Sequence, residues 1–214
     1  ASSRFFPAPP RDLADREYVE SLPTSAVMTE AEKAFDENNY QKALALYLIA
    51  DERSDGKVMK TYSALYQCYR KLGKMTEAEE AFAKLVDVGL QNMNISTRFL
   101  FSVNSTEFVA DPDLRNQYSL WMKHIARRVS ASGTCLQILG HSSRTGTERY
   151  NETLSLQRAL AVQKAMQKDF PLAMQKTRAN GRGFKDNIIG SGSDDMQDAI
   201  DRRVEFKVVD CGKL

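Results

Sequence analysis

Residues 140–146 read GHSSRTG, and residues 151–159 read NETLSLQRA. Just before this stretch the polarity alternates, with Leu136 and Ile138 on one face, which predicts a β-strand that ends in a glycine-framed turn. After the turn, Ala159, Val162 and Met166 recur at helical spacing and predict an α-helix. A strand, a loop and a helix in this order bring polar positions of the helix back to the loop, where we expect a ligand site.

Three further strands and one further helix are predicted around this loop. The helix starts at Asp111-Pro112, because Asp caps helices and Pro fits the first helical position. The predicted strands are 98–103, 134–139, 176–181 and 203–209. This βαβαββ order predicts an α+β domain over residues 97–214, with its helices on one face of a small mixed sheet.

The first half of the chain has a helical pattern that repeats after 35 residues. The recurring positions are Tyr40, Ala43 and Tyr47, then Met75, Ala78 and Phe82. Residues 39–47 and 74–82 resemble the second helices of tetratricopeptide repeats, with first helices at 29–38 and 60–72. The resemblance implies helical hairpins over residues 26–93 that bind a protein partner through Tyr40, Tyr47, Tyr62 and Tyr69. Two repeats are fewer than a stable array needs, so an equal alternative is that the helices only brace the neighbouring domain.

Both ends of the helical half are predicted to be irregular. Residues 90–96 lose the helical period and are interpreted as the connector between the halves. Residues 1–10 are small, polar and proline-rich, so residues 1–25 are predicted to form a flexible tether. Such a tether suits a chain released from a signal sequence, one held by a lipid anchor upstream of Ala1, or one that has been trimmed.

Composition and motifs exclude several classes of function. The net charge is +2, and no basic stripe interleaved with aromatic residues indicates nucleic-acid binding. No apolar run reaches transmembrane length. The sequence contains no nucleophile elbow, P-loop or His-Glu-x-x-His motif, and no cysteine or histidine spacing typical of metal sites. We therefore expect a protein without catalytic residues, cofactor or metal.

Two of the three cysteines are predicted to form a disulfide. Cys135 lies at the start of one predicted strand, and Cys211 follows the last one. In the alternating pattern of these strands, both cysteines occupy positions whose side chains face outward. If these strands are antiparallel neighbours, the two side chains meet, and the bond requires an oxidising compartment such as the periplasm. The alternative is two free thiols at the sheet ends, and Cys68 is interpreted as a buried thiol.

Residues 140–146 and 151–159, together with Asp201-Arg202-Arg203-Val204-Glu205 at the start of the last predicted strand, resemble the OmpA-like peptidoglycan-binding domain. The resemblance extends over residues 97–211. The resemblance implies that the site holds the diaminopimelate of the peptidoglycan stem peptide, with Arg158 on a carboxylate. The family's loop acid, two residues after its histidine, holds the ammonium group; here that position is Ser143. A serine supplies no charge, and losing one charge-assisted contact costs about 1.5–3 kcal/mol. The candidate ligand residues are Arg158, Ser143, Asn151, Leu154, Gly146 and Arg203.

The resemblances together indicate a non-enzymatic periplasmic protein, either soluble or an outer-membrane lipoprotein. Its C-terminal domain would bind peptidoglycan, and its helices would hold an envelope machine such as a secretion or pilus assembly. The alternative is an assembly adaptor whose C-terminal domain has lost peptidoglycan binding with Ser143. An acid near this position would distinguish the two, and Glu148 is the nearest acidic residue in the loop.

Overall fold

The computed structural model describes residues 16–194 and 196–214. The chain divides after Val88 into two compact units. Residues 1–15 of the predicted tether lie outside the described residues. The rest of that segment contains a short helix, α1 (Arg16–Ser21), and the start of the next helix, so it is helical rather than extended.

Four further helices lie at or near the predicted places, and the last of them continues past the division after Val88. They are α2 (Thr24–Asp36), α3 (Tyr40–Arg53), α4 (Met59–Lys71) and α5 (Met75–Gln91). Asn39 caps α3 by accepting a hydrogen bond from the backbone N–H of Lys42. The small residues Ala31, Ala43 and Ala78 are buried, which lets neighbouring helices approach closely. Tyr66 of α4 contacts Phe82 of α5, with ring centroids 5.5 Å apart.

The second unit is an α+β domain with a four-stranded mixed sheet. Its elements are β1 (Asn94–Leu100), α6 (Pro112–Ala131), β2 (Thr134–Gly140), α7 (Glu148–Asp169), β3 (Thr177–Gly181) and β4 (Arg203–Asp210). The strand order is β1-β4-β2-β3. Strand β4 pairs antiparallel with β1 and β2, and β2 pairs parallel with β3. The predicted fold class, an α+β fold with a helical N-terminal region, is confirmed.

The predicted connector at residues 90–96 is wrong. Helix α5 continues to Gln91 and β1 already begins at Asn94. Gly89 permits this short connection, because a Cβ at that position would lie 2.5 Å from the carbonyl oxygen of Asn94. The first strand therefore starts earlier than predicted, and Phe101 lies beyond it in an isolated bridge to Phe108.

An aromatic cluster joins the sheet to α6. The ring of Phe99 on β1 lies 5.0 Å from Tyr118 and 6.1 Å from Trp121, both on α6. It also lies 5.7 Å from Phe206 on β4. Ile125, further along α6, is also buried. This aromatic core packs α6 against β1 and β1 against β4.

The predicted disulfide between Cys135 and Cys211 is present, with 4.9 Å between the two Cα atoms. Cys135 lies in β2, while Cys211 lies just after β4 in a 3₁₀ turn (Cys211–Lys213). The antiparallel register, which places Thr134 opposite Asp210, brings the start of β2 to the end of β4. Cys68 is buried with a free thiol, and burial raises its pKa to about 12.

Candidate functional site

The loop of residues 141–147, called the signature loop below, leaves β2 at Gly140, where there is no room for a side chain. A Cβ on Gly140 would collide with the backbone carbonyl of Ser155 in α7, so glycine lets the helix lie directly against the strand. Gly146 then takes a φ of +94°, a conformation that favours glycine. The next residue, Thr147, caps α7 by accepting a hydrogen bond from the backbone N–H of Tyr150. Helix α7 therefore begins at Glu148.

Arg158 lies at the floor of this loop and is fully buried. Its guanidinium donates three hydrogen bonds of 2.9 Å to the backbone carbonyls of Ser102, Ser105 and His141. The guanidinium carbon also lies 5.4 Å from the ring centroid of Phe101. Two of the three carbonyls belong to the segment between β1 and α6, so Arg158 fixes that segment against α7.

In this conformation the guanidinium of Arg158, which the resemblance places on a ligand carboxylate, has no exposed surface. Burial is the main cause that lowers its pKa to about 10, and the neighbouring charge of Arg202 lowers it further. The charge of Asp194 acts in the opposite direction. Since Arg158 has no exposed surface in this conformation, a ligand carboxylate reaches it only if the segment after β1 moves away.

Three of the other predicted loop and helix residues, Ser143, Asn151 and Leu154, are also buried, whereas Gly146 is exposed. Ser143 is 6 % exposed, and Leu154 is 7 % exposed. Asn151 donates hydrogen bonds to the carbonyls of Thr145 and Thr147, at 2.9 and 3.1 Å, so its amide holds the loop closed. The structure thus brings Ser143, Gly146, Asn151, Leu154 and Arg158 into one loop–helix unit, in a closed arrangement.

Arg203, the remaining predicted ligand residue, is engaged in ion pairs. Its Nε lies 3.1 Å from Glu205 on the same strand, and one Nη donates to the carbonyl of Asp186. His141, interpreted from the sequence as structural, is buried with its Nε2 3.2 Å from Glu205. The hydrogen bond with His141 is the main cause that lowers the pKa of Glu205 to about 2, with Arg203 acting in the same direction against the effect of burial. These residues hold β4 against the loop, while Nη1 of Arg203 is buried without a hydrogen bond, 4.0 Å from Oδ1 of Asp201.

The acid that the loop lacks is not supplied by Glu148 in this conformation. Its carboxylate is exposed and lies 3.6 Å from the Nζ of Lys185. Lys185 is shared with Glu152 of the same helix, at 2.7 Å. Glu148 is therefore part of a surface ion-pair cluster.

Three of the four tyrosines predicted to contact a protein partner lie in the helical core. Tyr47, Tyr62 and Tyr69 are at most 5 % exposed, and their burial contradicts a role as surface contacts. Their phenol groups have raised pKa values, mainly because burial disfavours the charged form. Tyr40 is partly exposed, with the Nζ of Lys71 5.9 Å from its ring centroid.

Several residues of this region were missed in the sequence. Arg202 lies beside Arg158, and its partner Asp194 comes from the loop before β4. The carbonyls of Ser102 and Ser105 had no sequence signal at all, because every residue carries a carbonyl. Within the described part of the chain, no group of His, Cys, Asp or Glu side chains could hold a metal ion. Nor is any described helix long and apolar enough to cross a membrane.

The comparisons with known proteins concern the second unit. Residues 100–200 match the model of the OmpA family. No curated protein sequence matches the chain. The peptidoglycan-associated lipoprotein of Burkholderia pseudomallei is similar in structure, with a TM-score of 0.45 and 21% identity over 52% of this chain and 89% of that one. The C-terminal domain of MotB from Helicobacter pylori is similar with a TM-score of 0.42 and 17% identity, over 53% and 84% of the two chains.

Proposed function

We propose that the domain around residues 100–200, which match the OmpA family model, binds peptidoglycan without covalent chemistry and that the helical unit anchors a protein assembly to it. The family match carries the proposal, because it spans the signature loop and the start of α7. The ligand is the stem peptide, whose diaminopimelate offers a carboxylate and an ammonium group. The protein acts in the periplasm, where the Cys135–Cys211 disulfide is stable. A lipid anchor upstream of Ala1 belongs to the same proposal.

The proposed mode of binding starts from the closed conformation. The ligand carboxylate replaces the carbonyls of Ser102 and Ser105 on the guanidinium of Arg158, and the segment between β1 and α6 opens as this happens. A carboxylate is the stronger partner, because hydrogen bonds between two charged groups are about twice as strong as those to neutral carbonyls. Asn151 and Gly146 position the loop around the ligand, and Leu154 lines its base.

A second function is favoured by the burial of Arg158. A guanidinium that is fully enclosed by three backbone carbonyls serves the fold without any ligand. In this alternative the domain has given up peptidoglycan together with the loop acid at Ser143, and the whole chain is an adaptor within an envelope assembly.

Co-sedimentation with insoluble peptidoglycan sacculi separates the two functions. Wild type and Ser143→Asp are compared, with Arg149→Ala, an exposed residue of the same helix, as the control. Sedimentation of the wild type supports peptidoglycan binding. If the wild type stays in solution and Ser143→Asp sediments, the domain has kept its fold and lost its ligand.

The partner surface of the helical unit is proposed at the starts of α3 and α5. Tyr40 is partly exposed there and Met75 is 58 % exposed, and the two residues are equivalent in the 35-residue period. Replacing both with serine removes this apolar surface and leaves the buried core intact. Cross-linking in intact cells tests the proposal: the double variant is expected to lose cross-linked protein partners, and unchanged cross-links would contradict it.

A further inference from the structure

The loop before β4 is held in place by two buried carboxylates, those of Asp198 and Asp201. Each one accepts hydrogen bonds from backbone N–H groups of the loop. The donors to Asp201 are Ile188, Ile189 and Gly190, and the donors to Asp198 are Ser191, Gly192 and Asp194. Burial acts to raise the pKa of Asp198, but the hydrogen bonds from the loop lower it below its ordinary value. Both carboxylates are thus used by the fold, and the loop has a fixed shape.

This loop touches the signature loop and presents a third carboxylate. The hydroxyl of Thr145, two residues after Ser143, donates to the carbonyl of Gly192 at 3.4 Å. Two residues after Gly192, Asp194 adopts a φ of +58° and lies 3.0 Å from Nη1 of Arg202. Its side chain is 11 % exposed. Asp194 is therefore a nearly buried acid on a loop in contact with the loop that lacks one.

Asp194 belongs to the same polar cluster as Arg158. Phe101 links the two arginines, because its carbonyl accepts a hydrogen bond from Nε of Arg202 at 3.3 Å and its ring lies against the guanidinium of Arg158. The pKa of Arg158 responds to both neighbours, falling with the charge of Arg202 and rising with that of Asp194. The guanidinium groups of Arg158 and Arg202 and the carboxylate of Asp194 therefore belong to one polar cluster.

We propose that Asp194 is the acid of the ligand site, and that it takes the place of the acid missing at Ser143. The inference rests on the proposed peptidoglycan function and names the ligand class: a group that carries a carboxylate and an ammonium at one end. Oδ1 of Asp194 accepts from Arg202, and among the described residues no donor lies on Oδ2, which binds the ligand ammonium. The ligand carboxylate pairs with the guanidinium of Arg158.

The test uses the full chain and insoluble sacculi that contain diaminopimelate. Asp194→Asn is expected to weaken binding by at least about tenfold, since a charge-assisted contact is lost. Asp186→Asn is the control, because Asp186 is an exposed acid that pairs with Arg182. Glu148→Gln tests the rival acid, and both of these variants are expected to bind like the wild type.

Rescue separates ligand contact from a structural role of Asp194. Adding Ser143→Asp to Asp194→Asn is expected to restore binding, because a carboxylate returns to the ligand without restoring the Arg202 pair. Wild-type affinity in Asp194→Asn, loss of binding in Glu148→Gln alone, or no rescue in a folded double variant would each overturn the assignment. A wild type that does not sediment contradicts the proposed function itself, which is a different result from a wild type that binds independently of Asp194.

Discussion

At the scale of single residues, the burial of Arg158 changes the interpretation of the site. The side chain was expected to meet a ligand, yet it holds three backbone carbonyls with no exposed surface. A buried cation is tolerated only when its N–H groups are satisfied, and here the backbone satisfies them. Arg158 is thus a structural residue in this conformation, whatever it contacts when a ligand binds.

Arg158→Ala is expected to lower the free energy of unfolding by about 3 kcal/mol or more, because hydrogen bonds to a charged group are lost and buried carbonyls are left unpaired. Urea unfolding followed by circular dichroism measures the change. Arg149→Ala, on the exposed side of the same helix, is expected to stay within about 0.5 kcal/mol of the wild type. Equal stability of the two variants would show that the three hydrogen bonds contribute little.

Glu205 predicts a pH dependence of stability. Its folded pKa of about 2 lies below the ordinary value of 4.5, mainly through the hydrogen bond with His141 and then through Arg203. A lowered pKa stabilises the fold fully above pH 4.5, and this contribution is lost as the pH falls from 4.5 toward 2. Urea unfolding between pH 6 and 2.5 should show a smaller loss for Glu205→Gln than for the wild type; parallel curves would disagree with this account.

At the scale of elements, the site depends on how closely α7 lies against β2 and β3. Gly140 and Gly181 both face the backbone of the first turns of α7, where a Cβ would collide. Strand β2, which leads into the signature loop, lies between β3 and β4, so α7 packs against the centre of the sheet as well as against β3. The glycines of the motif therefore serve helix–sheet packing as well as loop shape.

Gly140→Ala is expected to destabilise the domain by at least about 2 kcal/mol, because the added methyl meets backbone that cannot rotate away. Gly133→Ala is the matched control: nothing lies within 4 Å of its Cβ position. Thermal unfolding of the two variants gives the comparison. A Gly140→Ala protein as stable as the Gly133→Ala protein would mean that α7 shifts without cost.

At the scale of the whole molecule, the disulfide joins positions 76 residues apart within the second unit. A bridge of this span constrains the unfolded chain strongly. The structure divides after Val88, and we propose that the units on either side correspond to the helical and OmpA-like domains at residues 26–93 and 97–214. The bridge would then stabilise the OmpA-like domain alone.

Replacing Cys135 and Cys211 with serine is expected to cost about 2–4 kcal/mol of unfolding free energy. The same loss should appear when the wild type is reduced with dithiothreitol, while the double variant should not respond to the reductant. Thermal unfolding with and without reductant provides both readings. If reduction leaves the wild type unchanged, the bridge does not contribute to stability.

The sequence by itself determined those features that local patterns encode. Alternating strands, the Asp111 cap, the glycine-framed loop and the periodic helices all follow from the side chains of neighbouring residues, so the order of elements and the mixed sheet could be predicted. The Cys135–Cys211 pairing could also be predicted from the sequence. The alternation of side chains along the strands puts both cysteines on one face, and an antiparallel order puts both at one end of the sheet.

Only the tertiary structure decided how the candidate site is arranged. The carbonyls that enclose Arg158 lie up to 56 residues away in sequence, and backbone acceptors carry no residue signature. The burial of Tyr47, Tyr62 and Tyr69 depends on which helix faces meet, and an aromatic residue suits a core as well as a surface. Asp194 lies near Arg158 because the loop before β4 meets the signature loop, where Thr145 donates to the carbonyl of Gly192, 47 residues away in sequence. Such long-range contacts arise from packing, and no local pattern specifies them.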